Sequence, residues 1–270
     1  LLHNSETVNT AQCWEDGNLA CWCHDCNEFR LFSETRRQGH LYDENHICTR
    51  QVFNMKTLEY ETCGFHAKSI ADMNIKLAYQ YGYYTGEARK PAVTVTDPDT
   101  GETYFAQSTY GDFMPYWENN VNVGTATVRV VGYSDGPVYG EAELTFQIVP
   151  QNISADSLAV TTTSNSAHLT WEAALGATHY IVYQNVNGTW TRLGIVSKPE
   201  YTVTGLSSGE YQFRIRPFAT VDGQNYYSTK NSDIITATIE GGGVTFTENG
   251  TITRTYGDAP FVNAASLDGS

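Results

Sequence analysis

Six cysteines, at positions 13, 21, 23, 26, 48 and 63, crowd into the first quarter of this 270-residue chain, together with five of its seven histidines, at positions 3, 24, 40, 46 and 66. Thiols and imidazoles at such density do one of two things: they ligate a soft metal ion or they form disulfides. Cys23-His24-Asp25-Cys26 has the two-residue spacer that lets both side chains converge on one tetrahedral ion, the geometry zinc prefers. Gly39-His40-Leu41-Tyr42 follows, and a second round begins at Cys48-Thr49 and runs to Cys63-Gly64-Phe65-His66. Hydrophobic periodicity is poor through this stretch, so residues 1 to 74 are expected to draw their order from metal or disulfides rather than from a conventional core.

The order Cys13, Cys23-x-x-Cys26, Gly39-His40-x-Tyr42 resembles a degenerate zinc-ribbon-like repeat of secreted bacterial proteins. That resemblance implies a structural zinc held by Cys13, Cys23, Cys26 and His40, closed by four protein ligands. The second round departs from the pattern: His66 stands where a cysteine is expected, the Cys48 to Cys63 spacing is long, and no Gly-His follows. Cys48, Cys63 and His66, with His46, make up a second candidate metal set. Cys21 fits no zinc pattern and could pair with Cys48 or Cys63 in a disulfide. An even number of cysteines in an extracellular context also admits disulfides alone, and both readings stand at this point.

The elements that must position these residues are strands. Ala126, Val128 and Val130, then Leu144, Phe146 and Ile148, alternate with polar neighbours at period two, around a turn-rich segment holding Gly132, Gly136, Pro137 and Gly140. Such alternation buries one face of an antiparallel sheet and wets the other. Pro91–Thr96 reads as an earlier strand, and Asp97–Glu102 as the turn after it. The run from Tyr84-Thr85-Gly86 through Asn119-Asn120 and Val123-Gly124-Thr125 to Phe146 and Ile148 resembles a short Ig-like repeat of large bacterial surface proteins. The resemblance implies a β-sandwich over residues 75–150, with Gly124, Phe146 and Ile148 in its core, acting as a spacer or scaffold.

Residues 151–240 read as a second sandwich. Strands are expected at Ala159-Val160, Leu169-Thr170-Trp171, His179–Tyr183, Tyr211–Arg216 and Asp233–Ile239. The segment resembles a fibronectin type III domain along its whole length, which implies a core around Trp171, Leu206 and Tyr211, with the Tyr211 hydroxyl bonding back to upstream backbone. Residues 241–270 open on a glycine hinge, after which Val244–Thr247 and Thr251–Tyr256 alternate like two strands across a turn. Tyr256–Phe261 resembles the start of another Ig-like repeat, and the same segment could serve as a donor strand to a neighbouring chain. The expected fold class is therefore all-β, with tandem Ig-like and fibronectin type III-like sandwiches preceded by a small Cys/His-rich module.

Charge and motif content narrow the function. Thirty acidic against sixteen basic residues leave a net charge of -14, which disfavours nucleic acid as a partner. No apolar run is long enough to span a membrane as a helix. The chain opens on Leu1 with no leader-like apolar stretch, as expected of a processed chain or an excised fragment. No GxSxG, HExxH, P-loop or helix-opening GxGxxG occurs, and Asp112, Glu118 and Asp135 are scattered turn carboxylates, so catalysis is not expected. Asp97, Asp99, Gly101 and Glu102 resemble part of a calcium loop but lack the full ligand pattern, and a hairpin turn accounts for them as well. Tyr79, Tyr81, Tyr83, Tyr84, Tyr110, Phe113, Tyr116, Trp117, Tyr226 and Tyr227 are dense enough to form a sugar-stacking strip, though strands enrich aromatics without any ligand. The expected role is a structural spacer in a secreted, surface-associated protein mediating display or adhesion, whose partners are neighbouring modules, copies of itself, or a host or glycan ligand. Two alternatives remain: a filament subunit polymerised by strand addition of the tail, and a carbohydrate-binding accessory region of a secreted glycosidase, using Trp117 or Trp190.

Overall fold

A computed structural model describes residues 5–26, 28–106, 111–241, 243–248 and 250–255. Among them there is no α-helix; two short 3-10 turns interrupt a chain of strands. The chain divides into two compact units, the first made of Leu1–Gln80, Lys90–Asn120 and Ala126–Phe146, the second of Tyr81–Arg89, Val121–Thr125 and Gln147–Ser270. The Cys/His-rich segment and most of the Ig-like strands thus belong to one unit.

In the first unit, β1 (Ser5–Asn9), β2 (Gly17–Cys23) and β3 (Glu28–Thr35) form an antiparallel meander. Alternation along β2 sends Ala20 and Trp22 inward, where they pack with Val8 and Phe53. Cys21 and Cys23 fall on the other face by the same period. Next come β4 (Gln51–Asn54) and β5 (Glu59–Thr62), a hairpin whose register sets Gln51 opposite Thr62. Leu58, at φ 61°, lies in its turn. Cys48 precedes this hairpin and Cys63 follows it, so strand pairing alone brings the two cysteines together.

The Ig-like strands begin with β6 (Lys68–Ser69) and β7 (Asn74–Leu77), followed after β8 (Tyr81–Tyr83) by β9 (Val93–Thr96) and β10 (Thr103–Tyr104). Asp97–Glu102 forms the turn joining β9 to β10: Asp97 accepts the Gly101 N–H on its carbonyl, and its carboxylate accepts from Asp99 and Thr100 while pairing with the Lys68 ammonium. β11 (Phe113–Glu118), β12 (Gly124–Gly132), β13 (Val138–Tyr139) and β14 (Glu141–Val149) complete the set, with β12 between β11 and β14. Ala126, Val128, Val130, Phe146 and Ile148 are buried, as their alternation requires, and Leu144 is half-buried. Gly124 opens β12 at φ 148° and is buried. β13 pairs with β6 in parallel, tying the loop before β14 to the end of the cysteine-bearing segment.

In the second unit β8 pairs in parallel with Gln147–Val149. The sandwich that follows has β15 (Ala159–Thr162), β16 (Ser166–Thr170) and β19 (Glu200–Thr204) in one sheet. The other holds β17 (His179–Val186), β18 (Thr189–Val196), β20 (Gly209–Val221), β21 (Gln224–Tyr227) and β22 (Ile235–Ile239). Leu169, Val182, Phe213 and Ile215, contributed by both sheets, are fully buried around Trp171. Each such side chain contributes about 1.5–3 kcal/mol by burial. Trp171 meets Tyr180 edge to face, Leu206 packs against the cluster, and the Tyr211 hydroxyl donates to the Ser207 carbonyl and accepts from its N–H, both at 3.2 Å. β23 (Gly243–Glu248) and β24 (Gly250–Thr255) form a hairpin paired in register from Gly243↔Thr255 to Glu248↔Gly250. The rest of the tail, where the repeat start was expected, lies outside the described residues, as does Tyr110.

Candidate metal centre

Four side chains from separate parts of the first unit meet with their ligand atoms all within 4.8 Å of one another: Cys13, His40, Cys48 and Cys63. Cys13 follows β1, His40 lies in the loop after β3, and Cys48 and Cys63 flank the β4–β5 hairpin. Cys13 Sγ stands 3.8 Å from Cys48 Sγ, and Cys63 Sγ 3.7 Å from His40 Nδ1. Ligands held about 2.3 Å (sulfur) and 2.0–2.1 Å (nitrogen) from a tetrahedral zinc ion stand about 3.5–3.8 Å apart, so the residues present fit that ion.

Backbone hydrogen bonds and two glycines tie the four positions together. Cys48 and Cys63 are joined through Cys48 N–H to the Phe65 carbonyl (2.8 Å) and Gly64 N–H to the Cys48 carbonyl (3.0 Å). Gly64, directly after Cys63, sits at φ 66°, a conformation that a residue with a Cβ resists. Gly39 N–H donates to the Cys13 carbonyl, and His40 N–H to the Asp135 carbonyl at 3.0 Å. Gly39 is also at φ 68°, and a Cβ there would lie 2.6 Å from Asp135 Oδ2, so the close approach of the His40 loop to the Ig-like loop needs glycine. The Tyr42 hydroxyl closes the same junction by donating to the Gly136 carbonyl at 2.6 Å.

Burial and mutual crowding set the electrostatics of the four side chains. Cys13 and Cys48 are buried and, with Val52, form one of the small cores of this segment. Burial, reinforced by Cys63 and Cys48, pushes the Cys13 thiol up, and burial also raises Cys63. Burial pushes Cys48 up too, but the N–H groups of Leu41 and Arg50 together with hydrogen bonds from Cys63 and Cys13 hold that thiol below its ordinary value. Crowded thiolates without a counter-ion are unfavourable in a low-dielectric site, and a divalent ion relieves that directly. Burial also lowers the His40 pKa, favouring the neutral imidazole that a metal requires. Phe65 stacks on the His40 ring at 4.6 Å and Tyr42 at 5.3 Å, fixing its plane. A cleft of about 510 Å³ lined in part by Trp14, His40 and Asp135 opens beside the site. Four protein ligands fill a tetrahedral shell regardless, so no coordination position faces that cleft.

The remaining sequence candidates lie elsewhere. Cys23 and Cys26 are thiols in contact at the turn between β2 and β3, Sγ to Sγ at 2.7 Å, and Cys26 N–H donates to Cys23 Sγ. That neighbouring thiol is the main reason the Cys26 pKa is raised to about 11. Cys21 is half-buried on β2. His66 is exposed, and its backbone bridges to Ile47. His46 stacks on Tyr139 at 3.5 Å. The four side chains that stand at metal-ligand spacing thus come from both cysteine rounds, Cys13 and His40 from the first and Cys48 and Cys63 from the second. Among the aromatics, Phe113 and Tyr226 are buried, while Tyr81, Tyr83, Tyr116 and Tyr227 are exposed.

No known protein family matches the sequence, and neither does any curated protein. Among solved structures the chain is similar to FN3tt, at 23% identity over 33% of this chain and 91% of that one, with a TM-score of 0.26. It is also similar to titin domains A168–A170 (15% identity, 88% of this chain and 97% of that one, TM-score 0.29). A third match is the FN1–FN3 domains of chicken CNTN1 (12% identity, 83% and 77%, TM-score 0.29). These are weak global superpositions. The all-β, tandem-sandwich architecture rests on the strand pairing and cores described above.

Proposed function

We propose that this chain is a non-catalytic structural stretch of a secreted, surface-associated protein, in which a Cys/His-rich segment held by one zinc ion is built into an Ig-like scaffold and followed by a fibronectin type III-like sandwich. The observation that carries this reading is the convergence of Cys13, His40, Cys48 and Cys63 at zinc-ligand spacing. The ion's role would be mechanical. It would join the β4–β5 hairpin to the loops at Cys13 and His40, and His40 and Tyr42 are in turn bonded to Asp135 and Gly136 of the Ig-like loop. A short segment with little apolar core gains most of its folding free energy from such a clamp. A closed site of this kind suits display or adhesion, where stiffness of the first unit matters more than reactivity. Native mass spectrometry of the purified chain tests it: one zinc per chain, removed by chelator, is expected, whereas a metal-free chain lacking six hydrogens would replace the clamp with three disulfides.

A further inference from the structure

The outer face of the larger fibronectin-like sheet carries an unusual set of residues for so acidic a chain. Three of the five cationic residues between positions 151 and 240, Arg192, Arg214 and Arg216, lie on β18 and β20. Tyr183 of β17 sits between them in register, opposite Arg192 on one side and Arg214 on the other. The Arg214 guanidinium lies 4.2 Å over the Trp190 ring and 5.6 Å over Tyr183, and Arg216 lies 5.2 Å over Tyr227. Stacking holds each guanidinium by its face, which leaves in-plane Nη–H groups to fork onto a carboxylate, most fully at Arg214.

What these arginines lack is acid. Elsewhere in the chain Lys68 pairs with Asp97, Arg129 with Glu141, and Arg36 with Asp16. Among the described residues, neither Arg192 nor Arg214 has an ion-pair or hydrogen-bond partner, and Arg216 reaches only the Ser228 carbonyl. Beside them Asn185 donates to Gln212, while Asn185 Oδ1 and the Nε–H groups of Arg214 and Arg216 are buried and unpaired, which leaves the Nη ends of the guanidiniums to meet a ligand. The face thus sets aromatic rings, free guanidinium edges and amide groups in a row across strands about 4.8 Å apart, with Arg214 and Arg216 about 7 Å apart along β20.

We infer that this face docks an acidic polysaccharide whose sugar rings carry carboxylates, the uronate class. Charge complementarity selects an anion, and the mixed lining selects sugar over peptide. A pyranose offers an apolar face for Tyr183 or Tyr227, hydroxyls for the Asn185–Gln212 pair, and a carboxylate for the arginine fork. An acidic peptide would use only the last of these. The inference deepens the adhesion reading by naming a ligand class, and it is independent of the zinc centre.

The test is binding of the full chain to polygalacturonate at low salt, beside fully methyl-esterified polygalacturonate and poly-L-glutamate. Binding to polygalacturonate is expected, weakening as salt rises and falling by about tenfold or more in Arg214→Gln and in the exposed Arg192→Gln, each of which removes a charge-assisted contact. Arg129→Gln, which loses an arginine already paired to Glu141, should bind like the parent chain. Zinc content and circular dichroism of each variant separate loss of the ligand from loss of the fold, so a negative result here leaves the metal reading standing. No binding to polygalacturonate, equal binding to the esterified polymer or to polyglutamate, or full binding by both arginine variants would overturn the inference.

Discussion

Cys63 Sγ lies 3.7 Å from His40 Nδ1, although 23 residues and the whole β4–β5 hairpin separate the two along the chain. That contact joins the two cysteine rounds into one site, and it separates the six cysteines into two classes with different consequences on substitution. Cys48→Ser or Cys63→Ser should lower zinc affinity by more than the roughly 10–100-fold that loss of a mere supporting contact costs. Cys23→Ser and Cys26→Ser should leave one zinc per chain. Competition with a colorimetric chelator reads both.

Metal removal should act locally. Hydrogen exchange after chelation is expected to speed up at amides from about residue 39 to 66, where Cys48, Gly64 and His40 backbone bonds depend on the clamp. Exchange at Leu169, Val182 and Ile215, in the core around Trp171, should be unchanged.

Gly39→Ala would put a methyl at φ 68° against Asp135 Oδ2. Strain in the left-handed region costs about 1 kcal/mol or more, and here it also pushes the His40 loop off the Ig-like loop. Lower stability together with weaker zinc binding is expected, measured by denaturation with and without added zinc.

Asp97 supplies a pH dependence. The Lys68 ammonium first, then the N–H groups of Asp99 and Thr100, hold its carboxyl at about 2, below the 3.8 of an unperturbed aspartate. A depressed folded-state pKa means stability that is present above about pH 4 and is lost as pH falls toward 2. Asp97→Asn should therefore be less stable than the parent chain at pH 7, with the two curves converging below pH 3. Urea midpoints at pH 7, 4 and 2.5 check this.

Tyr211→Phe removes the hydroxyl that bridges the Ser207 N–H and carbonyl without opening a cavity. A loss of about 1 kcal/mol is expected, with an unchanged denaturant slope.

Much of the fold was legible because β-alternation is a local signal. Ala126, Val128 and Val130 point inward for the reason their spacing suggests, and the Leu206 to Tyr211 interval marked the tyrosine corner. The candidate metal cluster was only half legible, because the contacts that assemble it are non-local. The two-residue spacer at Cys23 and Cys26 is a strong local cue, but β2 alternates Ala20 and Trp22 inward and so turns Cys21 and Cys23 away from that small core. The long interval from Cys48 to Cys63 looked like a broken motif. It is the length of one hairpin, and recognising Gln51–Asn54 and Glu59–Thr62 as paired strands would have placed both cysteines at its open end. The arginine row on β18 and β20 was hidden for the same reason, since Arg192 and Arg214 become neighbours only across Tyr183.

The most direct measurement is zinc K-edge absorption on the purified chain and on a Cys23→Ser/Cys26→Ser double variant. A first shell of three sulfurs at about 2.3 Å and one nitrogen at about 2.0 Å, identical in both, is expected of the Cys13/His40/Cys48/Cys63 centre. A shell that loses sulfur in the double variant, or a chain that binds no zinc, would contradict it.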